Sequence, residues 1–268
     1  MNLEDYKLIM LKQFELLKGM YLSKCYEKDG FAFFKSDTIN DNFWNFTANI
    51  TYQDFQKIGF LNNMEQTFKY ENRTPCIYIP SFIENIGLIK EYLISNGYQT
   101  KDHDAFMFFN GWNMKNNIKN EIREVRNMED LEAYIDVLNN AFGGEPTEEN
   151  PYGGAVDESY EKALEESLHD SEKKFHHIIL FKGSSPVSIA TLSYKDGYGG
   201  LNNVGTKKEC QNKGYGKQIM KACVDKFNEL GGGKLFLFTE KDSKNELWYK
   251  KLGFETKFIN EQYVKARG

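Results

Sequence analysis

The chain has few cysteines, few prolines and no long apolar run. Its 268 residues include four cysteines, Cys25, Cys76, Cys210 and Cys223, which lie far apart and form no Cys-x-x-Cys pair. The sequence therefore predicts neither a zinc site nor a disulfide framework. No segment approaches the ~20 apolar residues of a membrane span, and residues 1–6 lack the charged-then-apolar layout of a signal peptide. We expect a cytoplasmic protein with no membrane partner.

The chain also lacks an excess of basic residues. Lysine and arginine number 34 against 39 aspartates and glutamates, which gives a net charge of −5. Because binding to a phosphate backbone needs a basic face, we predict no nucleic-acid partner. The four histidines, His103, His169, His176 and His177, have no metal-ligand spacing, and the adjacent pair would point to opposite faces of a strand. No metal is predicted.

The first half of the chain alternates between helical and strand-like patterns. Apolar residues at helical spacing predict helices at residues 3–21 and 86–95. Two aromatic runs, 31–35 and 43–50, are separated by turn-forming residues and predict a hairpin. Residues 76–79 have the composition of a short strand. These elements predict an α/β domain.

A polar, asparagine-rich stretch at residues 110–120 is typical of a linker. The length of the chain is comfortable for two domains that each bury a core. We therefore predict a first domain over residues 1–112, a linker over 113–120 and a second domain over 121–268.

The second half begins with a predicted short strand and a helix between Ile122 and Phe142. Three strand-like runs follow at residues 175–182, 187–195 and 200–206, joined by segments rich in turn residues. They predict an antiparallel meander. A helix with an apolar stripe is then predicted over residues 216–230.

A glycine-rich turn, Gln211-Asn212-Lys213-Gly214-Tyr215-Gly216-Lys217, joins the meander to that helix. Two glycines let the backbone approach a ligand closely, and a helix start offers unpaired N–H groups and about half a positive charge. The turn is therefore a candidate phosphate site. A P-loop would need Gly at Gln211 and Ser or Thr at Gln218, and a dinucleotide fingerprint would need a third glycine at Ile219, so both are excluded.

What remains, Gln-x-x-Gly-x-Gly, resembles the pyrophosphate-binding motif of the GNAT family of acyl-CoA-dependent N-acyltransferases. Residues 203–206 (Asn-Val-Gly-Thr) resemble the family's splayed fourth strand, and residues 236–238 (Phe-Leu-Phe) resemble its fifth. Residues 245–254 resemble its helix that ends in Tyr-x-x-x-Gly-Phe. The resemblance covers roughly residues 121–260, and it implies an α/β fold with a mixed sheet and acetyl-CoA as acyl donor.

The resemblance also implies the site residues. Backbone N–H groups of the glycine-rich turn would bind the pyrophosphate, the strand before it would bind the pantetheine arm, and the later helix would add one CoA contact. The donor-binding residues implied in this way are Val204, Thr206, Gln211, Asn212, Lys213, Gly214, Tyr215, Gly216, Lys217 and Asn245.

The implied reaction transfers an acetyl group directly, in a ternary complex, to a primary amine of a small molecule or peptide. Tyr249 matches the tyrosine that protonates the departing sulfur, and a phenol, with a reference pKa of about 10, has a proton to give at neutral pH. The alternative role for Tyr249 is packing against Trp248 and Phe254. A second hypothesis for the protein is a non-catalytic CoA-binding sensor or interaction module.

The general base is not identified by the sequence. Glu145, Glu148, Glu149 and Asp157 are candidates by location only, and a bound water is another. Carboxylates are abundant between residues 145 and 169, which indicates either a cationic acceptor or a solvated face.

An internal repeat links the two halves. Asn96-Gly97-Tyr98 aligns with Leu252-Gly253-Phe254, and Gln56-x-x-Gly59 precedes the first at nearly the spacing at which Gln211-x-x-Gly214 precedes the second. We predict a tandem arrangement whose first domain is a truncated, degenerate GNAT-like copy. It would no longer bind CoA, because Leu61 stands at the second glycine, and it would shape the acceptor site or a homodimer contact. The alternative is two unrelated α/β domains.

Overall fold

The computed structural model describes residues 2–29, 31–112, 117–144 and 156–266. The chain forms two compact units. Unit 1 comprises Met1–Met107, Phe238–Asp242 and Thr256–Gly268, and unit 2 comprises Phe108–Leu237 and Ser243–Glu255. These units are defined by spatial contacts, and the linear domain boundaries at residues 112 and 121 stay a prediction.

Unit 1 is built on helices and strands from the first part of the chain and on the chain's last strand. Its elements are α1 (Leu3–Leu17), β1 (Lys24–Lys28), β2 (Phe31–Lys35), β3 (Phe46–Ala48), α2 (Tyr52–Phe55), α3 (Phe60–Tyr70), β4 (Cys76–Pro80), α4 (Ile86–Ser95) and most of β5 (Tyr98–Phe109) and β11 (Phe254–Lys265). The strand order is β1-β2-β3-β4-β11-β5. β3 and β4 are parallel, whereas β4 and β11 are antiparallel.

Unit 2 contains the meander and the glycine-rich turn. Its elements are β6 (Glu121–Glu124), α5 (Met128–Phe142), α6 (Glu158–Ser167), β7 (Phe175–Lys182), β8 (Ser185–Lys195), β9 (Tyr198–Thr206), a short 3-10 helix (Lys208–Cys210), α7 (Tyr215–Glu229), most of β10 (Lys234–Glu240) and α8 (Lys244–Leu252). The strand order is β10-β9-β8-β7-β6, antiparallel except for the parallel pair of β9 and β10. The predicted α/β fold with a mixed sheet is confirmed.

Most predicted elements occur within one or two residues of their predicted limits. The first helix is shorter than predicted, because Lys18 is extended and Gly19 has a φ of +92°. The hairpin is confirmed as β2 and β3, but its outer partner β1 was not predicted. The apolar stripe of α7 is buried from Ile219 to Phe227.

The internal repeat has a matching backbone geometry in the two units. Gly59 and Gly214 both precede a helix in the left-handed conformation, with φ values of +77° and +83°, and neither helix start receives a hydrogen bond from the capping residue's side chain. Gly97 and Gly253 follow α4 and α8 with φ values of +79° and +109°. Each half of the chain thus repeats the order helix, strand, helix, strand from a left-handed glycine.

A chain of buried polar side chains crosses the core of unit 2. His177 is 1% exposed, and its ring nitrogens lie 2.7 Å from Ser167 Oγ and from Thr191 Oγ1. Ser167 donates to the Leu164 carbonyl at 2.6 Å, so it accepts from Nε2. Nδ1 is then the acceptor for the Thr191 hydroxyl, which accepts in turn from Tyr134 at 2.7 Å. This pattern fits a neutral imidazole, and burial lowers the pKa of His177 to about 4.

In the described part of the chain, no helix is both long and apolar enough to cross a membrane.

Candidate functional site

The glycine-rich turn places an uncapped helix start at the surface of unit 2. Asn212 and Gly214 both have left-handed backbones, with φ values of +59° and +83°. Gly214 directly precedes the first turn of α7. Because glycine has no side chain, no side-chain cap covers the start of this helix. The first N–H groups of any helix have no intrahelical acceptor, and successive N–H groups around a left-handed residue form an anion-binding concavity. The donors that this candidate phosphate site offers are therefore backbone N–H groups, and phosphate binding there stays a prediction.

The two glycines of the turn are required for different reasons. A Cβ on Gly214 would meet nothing within 4 Å, so its backbone conformation, and not crowding, favours glycine there. A Cβ on Gly216 would lie 3.2 Å from Trp248 Cζ2 and 3.7 Å from Thr206 Oγ1. Gly216 therefore lets the end of β9, the start of α7 and the Trp248 ring of α8 pack together, a reason that the motif alone does not reveal.

Side chains of the turn are mostly exposed. Gln211, Asn212 and Lys213 face solvent, while Tyr215 is buried. Lys213 Nζ donates to the Glu209 carbonyl at 2.6 Å, which holds its cationic group beside the turn. Lys217 is half-buried on the first turn of α7. The turn therefore combines backbone donors with two nearby lysines.

Strand β9 bends just before it reaches the turn. Ile189 and Thr191 of β8 pair with Gly205 and Asn202, so two residues of β9 oppose one residue of β8. This is a β-bulge, and it includes Asn203, whose φ is +54°. The register of β9 with β10 covers only three pairs and ends at Gly200 and Phe236. Val204 and Thr206 therefore lie beyond the part of β9 that pairs with β10, while Thr206 still pairs with Ser188 of β8.

Tyr249 lies on α8 next to the residue that packs on Gly216. Its side chain is 8% exposed, and its ring lies 4.9 Å from that of Trp248 and 5.7 Å from that of Phe254. Burial raises the pKa of Tyr249 well above its usual value, and nearby Cys223 adds to the rise. The hydroxyl thus keeps its proton across the physiological pH range. Both predicted roles, packing and proton donation, are compatible with this environment.

The start of α8 is capped by residues that the motif search did not single out. Ser243 accepts from the Glu246 N–H at 3.1 Å, and Glu246, 2% exposed, pairs with Lys250 at 2.7 Å. A Ser-x-x-Glu pattern in the sequence is a signal for such a start. Asn245, predicted to contact CoA, is exposed in this first turn.

Gln218 is another residue with a structural function that the sequence did not indicate. It is buried in α7, and its Oε1 accepts from the Lys119 N–H at 2.8 Å. This hydrogen bond ties the end of the predicted linker to the helix of the cradle.

Of the four carboxylates that are candidate general bases, the structure describes Asp157. Asp157 caps α6 by accepting from the Ser159 N–H at 2.7 Å, and this hydrogen bonding lowers its pKa. The lowered pKa makes this carboxylate a weaker base. Glu145, Glu148 and Glu149 lie outside the described residues. Within the residues described, no group of three His, Cys, Asp or Glu side chains could hold a metal ion.

Comparisons with known proteins agree with this geometry. The family model described as Acetyltransferase (GNAT) family matches residues 140–254. An uncharacterised N-acetyltransferase of Bacillus subtilis, YjcF, is 32% identical over 90 residues, which are 34% of this chain and 63% of the relative. The chain thus spans less than two thirds of that relative's length.

Solved structures resemble the chain over most of its length. A GCN5-related N-acetyltransferase from Kribbella flavida has a TM-score of 0.69 at 13% identity, covering 98% of this chain and 95% of its own. A tandem GNAT protein from the clavulanic acid biosynthesis pathway has a TM-score of 0.58 at 9% identity, covering 89% of this chain and 79% of its own. These similarities establish the fold, and with the family match they confirm the predicted relationship. Residues 140–254 are thus identified by the family model as a GNAT acetyltransferase domain.

Proposed function

We propose that the chain is an N-acetyltransferase that moves an acetyl group from acetyl-CoA to a primary amine of a small molecule or peptide. The observation that carries this proposal is the packing of Trp248 against Gly216. It joins an uncapped, anion-binding helix start to the helix that bears a protonated, buried phenol. A donor site and a proton source then lie on two elements held together by direct contact.

The cradle suits the pyrophosphate of CoA. Space in front of Gly214 is open, the N–H groups of residues 215–217 are at a helix start, and the helix dipole favours an anion there. Main-chain groups of Val204 and Thr206 would bind the pantetheine arm, since β9 runs past its pairing with β10. Gln211, Asn212, Lys213 and Asn245 are exposed at the rim and available for further contacts.

Acetyl-CoA supplies the reactive thioester. The residues of the donor site would hold it in place, and Tyr249 would supply a proton. The amine nitrogen attacks the thioester carbonyl, a C–N bond forms and the C–S bond breaks. The Tyr249 hydroxyl gives its proton to the departing sulfur, while the amine gives up one proton to a base or to water. The Val204 N–H would polarise the carbonyl, and holding the reactants together lowers the barrier by roughly 7–11 kcal/mol when the geometry is good.

Direct transfer is favoured over an acyl-enzyme intermediate. Cys223, the cysteine near Tyr249, is fully buried, and burial raises its pKa far above the usual range. A thiol that stays protonated is a poor nucleophile. A ternary complex of donor, acceptor and protein is therefore the mechanism we propose.

The test measures thiol release from acetyl-CoA over a panel of amines that includes polyamines, aminoglycosides, amino acids and lysine peptides. Amine-dependent release supports the proposed function and identifies the acceptor class. Saturable CoA binding without release for any amine would favour the sensor, and an absence of CoA binding would exclude both functions.

Changing Tyr249 to Phe should lower the rate of thiol release by about tenfold to a hundredfold, because the sulfur loses its proton donor but the ring still packs. Since the pKa of Tyr249 is raised well above 10, we expect the ratio of wild-type to variant rates to stay constant from pH 7 to pH 10. Initial rates at fixed, saturating substrates give this ratio. Tyr198→Phe, at the start of β9 and outside the predicted donor site, is the control and should keep the wild-type rate. A ratio near one at every pH would restrict Tyr249 to packing.

A further inference from the structure

Ser188 of β8 is a buried polar residue that is not among the predicted site residues. Its side chain is fully buried, and its register partner is Thr206, the last residue of β9. Its Oγ lies 2.7 Å from the Gly205 carbonyl oxygen and 2.8 Å from Thr206 Oγ1. All three residues belong to unit 2. Ser188 therefore contacts both the main chain and a side chain at the point where β9 leads into the glycine-rich turn.

The direction of these two hydrogen bonds follows from the chemistry of the groups. A carbonyl oxygen accepts and never donates, and a hydroxyl has one proton to donate. Ser188 therefore donates to the Gly205 carbonyl, and the Thr206 hydroxyl donates its own proton to Ser188. One serine side chain thus holds the carbonyl before Thr206 and the hydroxyl of Thr206 itself.

These bonds and one main-chain bond fix which way the peptide groups around Thr206 point. The Gly205 carbonyl faces β8, where it accepts from Ser188. The Lys207 N–H also faces β8, where it donates to the Val187 carbonyl at 3.0 Å. In a trans peptide the carbonyl and the following N–H point in opposite directions. The N–H and the carbonyl of Thr206 therefore both point away from β8.

The side of β9 that faces away from β8 is the side of β10. Among the residues described, the pairing of β9 with β10 ends at Gly200 and Phe236, well before Thr206. The Thr206 carbonyl lies 3.4 Å from Nε2 of Gln211, the first residue of the glycine-rich turn. At its end β9 thus offers the main chain of Thr206 to a partner other than β10. A secondary amide matches it, because an amide has one N–H donor and one carbonyl acceptor, as a neighbouring strand has.

We infer that Ser188 is a positioning residue for acetyl-CoA, which holds the end of β9 so that the main chain of Thr206 hydrogen-bonds an amide of the pantetheine arm. Ser188 does not touch the donor itself and acts through Gly205 and Thr206. The inference rests on the proposed function, and it adds a residue and a specific part of the donor. Ser188 controls binding of the arm, whereas the start of α7 binds the pyrophosphate.

The experiment titrates the full chain with two ligands, CoA and 3′-phospho-ADP, in a calorimeter. The second ligand has the adenosine, the 3′-phosphate and the pyrophosphate of CoA but lacks the pantetheine arm. Ser188→Ala should weaken CoA binding by about fivefold to tenfold, because the Thr206 hydroxyl and the Gly205 carbonyl lose their common partner. The same variant should bind 3′-phospho-ADP with unchanged affinity. Equal losses for both ligands would show general damage to the site and would overturn the inference.

Ser193 provides a closely matched control. It is fully buried on the same strand, pairs with Gly200 of β9 and donates to the Gly200 carbonyl at 3.3 Å. Gly200 lies in the part of β9 that pairs with β10. Ser193→Ala should therefore leave the affinity for both ligands unchanged. If it weakened CoA binding as much as Ser188→Ala does, the place of the serine along β8 would not matter and the inference would be wrong.

A double variant tests whether Ser188 acts through Thr206. Thr206→Val keeps the shape of the side chain and the main-chain groups but removes the hydroxyl. Because Ser188→Ala and Thr206→Val remove the same hydrogen bond, the double variant should bind CoA about as weakly as Ser188→Ala alone. Losses that multiply would show that Ser188 acts independently of Thr206 and would contradict the inference.

The wild-type protein gives a test that does not depend on the folding of a variant. The NMR signal of the Thr206 N–H should shift on addition of CoA and much less on addition of 3′-phospho-ADP. Equal shifts, or a signal that bound CoA does not move, would overturn the inference and leave the proposed function intact. If the wild type bound no CoA, both would fail.

Discussion

Replacing Gly214 with glutamate is expected to weaken CoA binding more than a hundredfold, which corresponds to about 2.8 kcal/mol. The new carboxylate would stand at the uncapped start of α7 and accept the N–H groups that the pyrophosphate needs. It would also repel the phosphate charges. Charge-assisted hydrogen bonds contribute about 1.5–3 kcal/mol each, so the loss of two accounts for the expected effect. Isothermal titration with CoA measures it.

The internal repeat offers a closely matched control. Gly59 precedes α3 with nearly the same left-handed backbone as Gly214, and a Cβ there would also meet nothing within 4 Å. Gly59→Glu therefore has the same backbone strain, about 1–2 kcal/mol, and the same charge change. If the first half no longer binds CoA, this variant keeps wild-type affinity. Equal losses in both variants would show that general destabilisation, and not the cradle, controls binding.

A third variant separates strain from charge. Gly214→Ala has the unfavourable backbone without the carboxylate, and we expect it to bind CoA within about tenfold of the wild type. If alanine were as damaging as glutamate, the conformation of the turn, and not its free N–H groups, would be the feature that matters.

Acidification from pH 7 to pH 5 should lower the free energy of unfolding by about 2 kcal/mol through His177 alone. Its pKa is about 4 in the folded protein against a reference value of 6.5. Between these values the unfolded chain binds the proton that the folded protein excludes, so stability falls as pH falls from 6.5 towards 4. The full effect of the 2.5-unit difference is about 3 kcal/mol. The pKa of Glu124 is lowered to about 2, so this group reduces stability only when the pH falls below about 4.5.

Urea unfolding at pH 7, 6 and 5 tests this expectation. His177→Gln keeps a donor and an acceptor for Ser167 and Thr191 but does not titrate, so its stability should change less with pH, although it is less stable than the wild type at pH 7. His103→Gln, at an exposed histidine, should retain the wild-type pH dependence. If the free energy of unfolding of His177→Gln fell with pH as steeply as that of the wild type, groups other than His177 would cause the acid sensitivity.

Local features of the fold were predictable because they depend on short stretches of sequence. Helix α4 matches its predicted span, since its end is marked by Gly97 in a left-handed conformation. The meander was evident from alternating strands and turn residues. The uncapped start of α7 followed from Gly214, which has no side chain for capping. In each case the signal and the structure lie within a few residues of each other.

Long-range contacts were not predictable in the same way. Nothing in the sequence near Gly216 indicates that Trp248, more than thirty residues later, packs on it. The hydrogen bonds of His177 join residues from α5, α6, β7 and β8, and adjacent His176 gave no hint of them. Ser188 likewise bonds to residues 17 and 18 positions later in the chain. Such features depend on tertiary packing, which a single sequence does not display.

The last strand of the chain has a consequence for how the protein is made. β11 pairs with β4 from Asn260 and Pro80 to Val264 and Cys76, and residues 256–268 belong to unit 1. A ribosome adds roughly 5–20 residues per second, so β4 is synthesised on the order of ten seconds before β11. The whole of unit 2 is synthesised between the two strands. During that interval β4 lacks one neighbour, and an unpaired strand edge is prone to aggregate. Newly made chains should therefore depend on a chaperone more than the finished protein does, and a gene cut between the two halves would not encode two self-sufficient products.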